Sequence, residues 1–230
     1  MLANNNEAII NKLAKNSVKT NKKQYAILFF TIILSAFMLF CVFTIGMTYL
    51  NSSRLQNTRL NGAEYDIVTM NGFTSEQLNT LQQNENIRSV GIESYAGFIQ
   101  STEYDKTVEI GLLWCDEVFW DNLMSPARTK LDGHYPQNKN ELMVTKDILK
   151  TCGNENLSVG DSLILTYENN TGVYTDEFVI SGIWDGYGDT SAGFVSKAFY
   201  DETGYDLKND GILCIKLNCN YVFPTTIQSI

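Results

Sequence analysis

Apolar positions follow three different rhythms along the chain. Between residues 7 and 21, Ile9, Ile10, Leu13, Ala14 and Val18 recur at helical spacing, and Asn11, Lys12, Lys15, Asn16 and Lys19 fall on the other side. From Tyr25 to Leu50 the rhythm disappears, because all 26 residues are uncharged and most are apolar. As a helix that stretch reaches ~39 Å, more than the ~30 Å hydrocarbon core of a bilayer. Beyond Asn51, short apolar runs alternate with turn residues.

In this last part the pattern predicts a mixture of strands and helices. Glu64–Met70 reads as a strand. Thr74 with Gln77 three residues on forms a capping box, Phe73 and Leu78 sit as its hydrophobic staple, and the helix runs to about Asn84. Ile87–Gln100 and Thr107–Trp114 are rich in β-branched and aromatic residues and read as strands. Asp116 caps a short helix through Leu123. Glu141–Val144 is a strand, followed by a helix that Thr145 caps and Gly153 ends. Ser162–Tyr167 and Glu177–Ile183 form a strand pair joined by a loop over Glu168–Asp176. A helix from Ser196 to Gly204 and a strand from Gly211 to Leu217 complete the set. Without regular βαβ spacing, the fold class is α+β: one N-terminal transmembrane helix, then a mixed α+β extracytoplasmic domain.

Charge gives this organisation a direction. Residues 1–24 hold five lysines and a single acid, Glu7, whereas residues 51–230 hold 12 basic and 25 acidic residues. Cytoplasmic flanks of membrane spans are enriched in Lys and Arg, so the N-terminus is expected in the cytoplasm and the acidic part outside. A cleaved signal would have a shorter apolar region and a small-x-small site; Thr48-Tyr49-Leu50-Asn51 offers none. The domains expected are a basic amphipathic helix at 1–24, a span at 25–50, an exported domain at 51–217 and a tail at 218–230. The lysines suffice as a topology signal, but the apolar stripe beside them favours a helix lying in the lipid interface. A net charge of −9 argues against nucleic acid as a partner.

Candidate chemistry is sparse. There is no phosphate-binding G-x-x-x-x-G-K-[ST], no G-x-S-x-G elbow and no H-E-x-x-H. His134 is the only histidine and reads as a turn residue before Pro136. Asp185-Gly-Tyr-Gly-Asp189 lacks the ligand alternation of a calcium loop and reads as a solvated turn. Trp114, Phe119 and Trp120 read as core rather than as a docking patch. Cys41 lies in the span. Cys115, Cys152, Cys214 and Cys219 lie where disulfides are permitted, but the sequence selects no pair, and Cys214 reads as a buried thiol. No catalytic, cofactor-binding or metal-binding residue is assigned, and no enzymatic activity is expected.

Several strings, taken in order, resemble the front half of FtsX-like (MacB-type) ABC transporter permeases. Ile9–Asn21 is similar to that family's elbow segment before its first span. Leu131–Glu141 is similar to its G-[RK]-x-P-x-x-x-x-E loop, Val159–Thr166 to its x-G-D-x-[IL]-x-[IL] turn and strand, and Phe178–Ile183 to its F-x-V-x-G-I strand. The resemblance implies a permease half with a MacB-like core domain at 51–217, in a bacterial plasma membrane. Its partners would be a separate ABC ATP-binding subunit, the remaining permease spans or a second permease copy, and the lipid bilayer, with no cofactor. The work would be efflux or mechanical coupling, with the elbow near the ATPase. Such permeases carry further spans after the exported domain, whereas residues 218–230 are too short and polar to cross a membrane. The chain is therefore expected to be the N-terminal part of such a permease. The alternative is a stand-alone single-pass surface sensor or ligand-binding protein.

Overall fold

The computed structural model describes residues 6–103, 106–187 and 192–218, and its contacts divide the chain into two units, Met1–Arg54 and Leu55–Ile230. The first unit is helical. Helix α1 (Asn6–Thr20) carries the expected stripe, with Ile9, Ile10, Leu13 and Val18 all exposed. A bend at Asn21 separates it from α2 (Lys22–Asn61), and the Ser17 hydroxyl meets that of Tyr25 across the bend at 2.9 Å.

Helix α2 is apolar on every side, with a best 18-residue window of mean hydropathy 2.8. Phe43 is 70% exposed and Tyr49 72%. An unbroken apolar surface of this kind has lipid as its natural solvent. The hydroxyls along it turn inward: Thr31 donates to the Ile27 carbonyl and Ser35 to that of Thr31, each at 2.8 Å. Both of these hydroxyls are thereby satisfied within the helix. The helix does not stop where the apolar stretch stops. It continues beyond Leu50 to Asn61, eleven residues past the end of the uncharged stretch. No Gly or Pro interrupts residues 51–61, and the helix ends only before Gly62, which takes φ +73°.

Among the described residues the second unit is built on nine strands: β1 (Ile67–Thr69), β2 (Ile87–Glu103), β3 (Lys106–Cys115), β4 (Arg128–Gly133), β5 (Glu141–Thr145), β6 (Ser162–Asn169), β7 (Gly172–Gly186), β8 (Gly193–Val195) and β9 (Ile212–Leu217). Four short helices accompany them: α3 (Ser75–Gln82), α4 (Lys146–Thr151), α5 (Lys197–Tyr200) and α6 (Leu207–Asp210). Six strands pair in a closed cycle, β2–β3–β8–β5–β7–β6, with β3–β8 and β5–β7 parallel and the other pairings antiparallel. Closure rests on a short register, Phe98↔Glu168 and Ile99↔Tyr167. The long strands β2 and β7 each serve twice. Ile87–Glu93 of β2 pairs with β9, which carries β1 at the edge, and Gly182–Gly186 of β7 pairs with β4.

Strand alternation sorts the apolar residues. Ile99, Ile110, Leu112, Trp114, Leu142, Val144, Leu163, Leu165, Phe178 and Ile180 form one buried cluster, joined by Ile148, Leu149, Phe199 and Tyr200 from α4 and α5. Met143, Trp184, Phe194, Cys115 and Cys214 point to the other face, under Phe119, Trp120, Leu123 and Met124. Trp114, Phe119 and Trp120 are all buried, as expected, but the sheet divides them: Trp114 stacks on Tyr200 in the first cluster, and the other two lie in the second. A third cluster packs Phe73, with Leu78 and Leu81 of α3, against β9.

Local signals that rest on a cap are reproduced in the structure. Thr74 and Gln77 form both bonds of the capping box, while Thr145 and Ser196 accept from the amides of Ile148 and Phe199. Asp116 Oδ1 accepts from Phe119 N at 2.8 Å, but the turn it starts is wide: Met124 N donates to Phe119 O, a π-type closure. The loop expected over Glu168–Asp176 is nearly all strand, with only Asn170 and Thr171 in the turn. Asn169 Oδ1 accepts from Thr171 N and Gly172 N, which closes the hairpin in two residues. Asp185 and Gly186 belong to β7 rather than to a turn, while Gly188 and Asp189 lie outside the described residues.

Candidate functional site at the end of the long helix

The last two turns of α2 are held by the domain. Thr58 is buried, and Arg59 reaches Tyr187, which directly follows β7. The guanidinium sits 4.0 Å from the centre of the Tyr187 ring, and Nη2 donates to the Tyr187 hydroxyl at 3.3 Å. Its Nε is buried with no hydrogen-bond partner among the described residues. After Gly62 the chain passes straight into the second core cluster through Ala63, which is 1% exposed. Glu64 N donates to Leu123 O at 2.7 Å and Asp66 N to Ile215 O at 2.9 Å. Lys216 Nζ lies 3.0 Å from Glu64 and 3.5 Å from Asp66, whose Oδ2 also accepts from Leu217 N. A helix end, the five-residue connection Gly62–Asp66 and the edge of a sheet are thus fastened together.

Beneath this fastening lies a group of poorly solvated titratable side chains. Glu93, on β2, stands opposite Cys115 of β3 and Ile212 of β9, so the three share a face. Burial alone lifts its carboxyl to about 7. Burial pushes the Cys115 and Cys214 thiols up as well, Cys214 to about 12, which makes both poor nucleophiles. The Tyr135 hydroxyl bonds both the amide and the carbonyl of Cys115, and burial raises its phenol too. Cys115 and Cys214 are free thiols; Cys219 lies outside the described residues. Among the described residues no group of His, Cys, Asp and Glu is arranged to hold a metal ion. His134 is exposed after the end of β4, its Nδ1 beside the Tyr135 carbonyl.

A second feature is a cleft of about 490 Å³ beside the β6–β7 hairpin. Tyr167, Phe178 and Phe199 form its aromatic floor, with ring centres 5.4–5.9 Å apart. Lys139, Asp176 and Glu202 stand at its rim, Lys139 paired with Glu202. The Tyr167 hydroxyl donates to Asp176 at 2.6 Å; burial first and that carboxylate second push the phenol up. Neither this cleft nor the Arg59–Tyr187 contact was marked by a local motif.

No family model and no curated protein matches the chain. Among solved structures it is similar to the extracellular domain of the noncanonic ABC-type transporter YknZ from Gram-positive bacteria, at 13% identity and a TM-score of 0.43, covering 69% of this chain and 78% of that one. It is similar to the periplasmic region of MacB from Actinobacillus actinomycetemcomitans at 14% identity and a TM-score of 0.43, covering 70% and 78%. A Porphyromonas gingivalis domain named for a permease gives 12% identity and a TM-score of 0.44, covering 70% and 73%.

Within the chain itself, the strings singled out from the sequence mark turns that bond to the β7 backbone. Gly133 ends β4 at φ +87°, where a Cβ would lie 2.2 Å from Ser181 O. Gly160 takes φ +95° and its amide donates to Ile180 O, while Asp161 Oδ2 accepts from Ser158 N. These turns hold β7 in register with its neighbours, and β7 leads directly to Tyr187.

Proposed function

We infer that the chain is a membrane-anchored component of an ABC transporter permease of the FtsX-like, MacB-type kind. It would act without enzymatic activity of its own, with its N-terminus in the cytoplasm and residues beyond α2 outside. Its partners would be a separate ATP-binding subunit and further permease spans or a second permease copy. The observation that carries this reading is the continuity of α2: one 40-residue helix contains the whole uncharged stretch and ends in turns gripped by the domain. At about 1.5 Å per residue it is ~60 Å long, and a helix resists bending over such a length far better than a loop would. Movement of the span would reach Tyr187 and the β1–β9 edge directly. The amphipathic α1 and the ordered turn strings support the same family.

The test is co-purification from membranes of the native host, after crosslinking, with tagged full-length chain. Recovery of an ATP-binding cassette subunit is expected; repeated recovery without one overturns the reading. A second experiment replaces Ser52-Ser53 by two glycines. Coupling through the helix predicts retained assembly but lost ATP-dependent transport or signalling. The stand-alone surface-protein reading draws on the aromatic cleft, and it predicts ligand binding with no ATPase partner at all.

A further inference from the structure

The edge of β7 beside the cleft is open. On one side β7 pairs with β6 from Gly172 to Val179, but on the other side β5 reaches only as far as Val179. The direction of each amide follows from two bonds: Val179 N donates to Asn140 O, on the β5 side, and Ile180 N to Asp161 O, on the β6 side. Peptide groups alternate sides along a strand. The amides and carbonyls of Val173, Thr175 and Glu177 therefore face away from β6, and among the described residues no strand pairs with them. The cleft runs along this row, with Tyr174, Asp176 and Phe178 on one wall and Phe199 and Glu202 on the other.

We propose that this edge and cleft bind an extended basic peptide, which adds a strand to β7 at Val173–Glu177. An edge of five residues spans ~17 Å, enough for a pentapeptide to form a short ladder. Charge fixes the chemistry of the occupant. Asp176 lies on the cleft face, opposite Leu165 of β6, and Glu177 on the other face, opposite Ile164. Lysine or arginine side chains on both faces of the added strand would each meet a carboxylate. Lys139, the cation at the rim among the described residues, is already paired with Glu202. Phe178 and Phe199 are buried in the cleft floor, so the aromatic surface that an inner-face ring would meet is Tyr174, which is 41% exposed. The site is independent of the permease reading, since it needs only the domain.

The test uses the full chain in phosphatidylcholine nanodiscs, whose neutral headgroups do not attract lysine. The probe is fluorescein-labelled, C-amidated Lys-Lys-Phe-Lys-Lys, read by anisotropy against empty nanodiscs. Saturable binding is expected, weakened about tenfold or more by N-methylating alternate peptide amides, which removes ladder bonds and keeps the charge. Glu-Glu-Phe-Glu-Glu should not bind. Thr175→Pro, which removes an outward amide, leaves the β6 backbone ladder intact and loses the hydroxyl bond to Thr166, should abolish binding, and Thr175→Val, which loses the same hydroxyl bond but keeps the amide, should retain it. Asp176→Asn should weaken binding several-fold and flatten its salt dependence. If Thr175→Pro fails to fold, the N-methylated probe still decides. Equal binding of that probe or of the acidic one overturns the proposal. Absence of binding also overturns it, and leaves Asp176 and Glu177 as charges that guard an edge against aggregation.

Discussion

Gly91 shows how much of this fold depends on the absence of a side chain. A Cβ there would lie 2.7 Å from Leu123 Cδ1 and 2.9 Å from Phe119 Cα, so the wide π-type turn could not settle on β2. Gly91→Ala should destabilise the domain by about 1–3 kcal/mol through overpacking, read as a lower urea midpoint with unchanged slope. Two residues on, Glu93 supplies a pH-dependent term of stability. Its folded value of about 7 stands above the ordinary 4.5, so the folded state holds this proton more tightly than the unfolded chain does. Its contribution is complete below pH 4.5 and is lost as pH rises through about 7. Glu93→Gln should flatten the fall in stability over that window. Above it, the variant should be more stable by about 2 kcal/mol, discounted from the full linkage value because the side chain keeps some contact with solvent. Thermal unfolding at pH 5 and pH 8 compares the two proteins, and parallel shifts in both would contradict the assignment.

At the level of elements, what could be read from the sequence was whatever a few neighbouring residues decide. Thr74 with Gln77, Thr145 and Ser196 each start a helix through a side chain acting on an amide three residues on. The apolar pattern of β2 and β3 was equally plain. Strand β4 was missed because it is a polar edge strand, exposed from Thr129 to Gly133, with no alternation to betray it. β8 has only three residues, and α6 only four. The end of α2 is not legible in the hydropathy, because polarity begins at Asn51 while nothing in residues 51–61 breaks a helix. The connection after it depends on Lys216, almost enclosed between Glu64 and Asp66. Lys216→Met should cost about 1–3 kcal/mol, less than a fully buried pair because Glu64 remains partly solvated. Hydrogen exchange should accelerate at Asp66–Thr69 first, and uniform acceleration across all strands would argue against a local fastening.

For the molecule as a whole, the closed cycle of strands is the least local feature, and no sequence pattern announced it. Its closing register joins residues almost seventy positions apart, and it depends on Gly97, held at φ +150° with Glu168 O 2.6 Å from where a Cβ would stand. Gly97→Val should open the β2–β6 seam, at a cost of more than ~2 kcal/mol. Cysteines placed at Phe98 and Glu168 and crosslinked beforehand should restore most of that loss, whereas failure to do so would put the damage elsewhere. The Arg59–Tyr187 contact, 128 residues apart in sequence, was hidden for the same reason.

The same closure gives β7 a further meaning. Its 15 residues begin at the open edge beside the aromatic cleft, pass through the cycle and end one residue before Tyr187. Strands are nearly inextensible, because their dihedrals are already almost fully drawn out. Whatever occupies the Val173 end and whatever turns or tilts α2 are thus pulling on the two ends of a single tie-rod. If the peptide proposed above binds there, stiffening that end would restrain the Tyr187 end through a single strand.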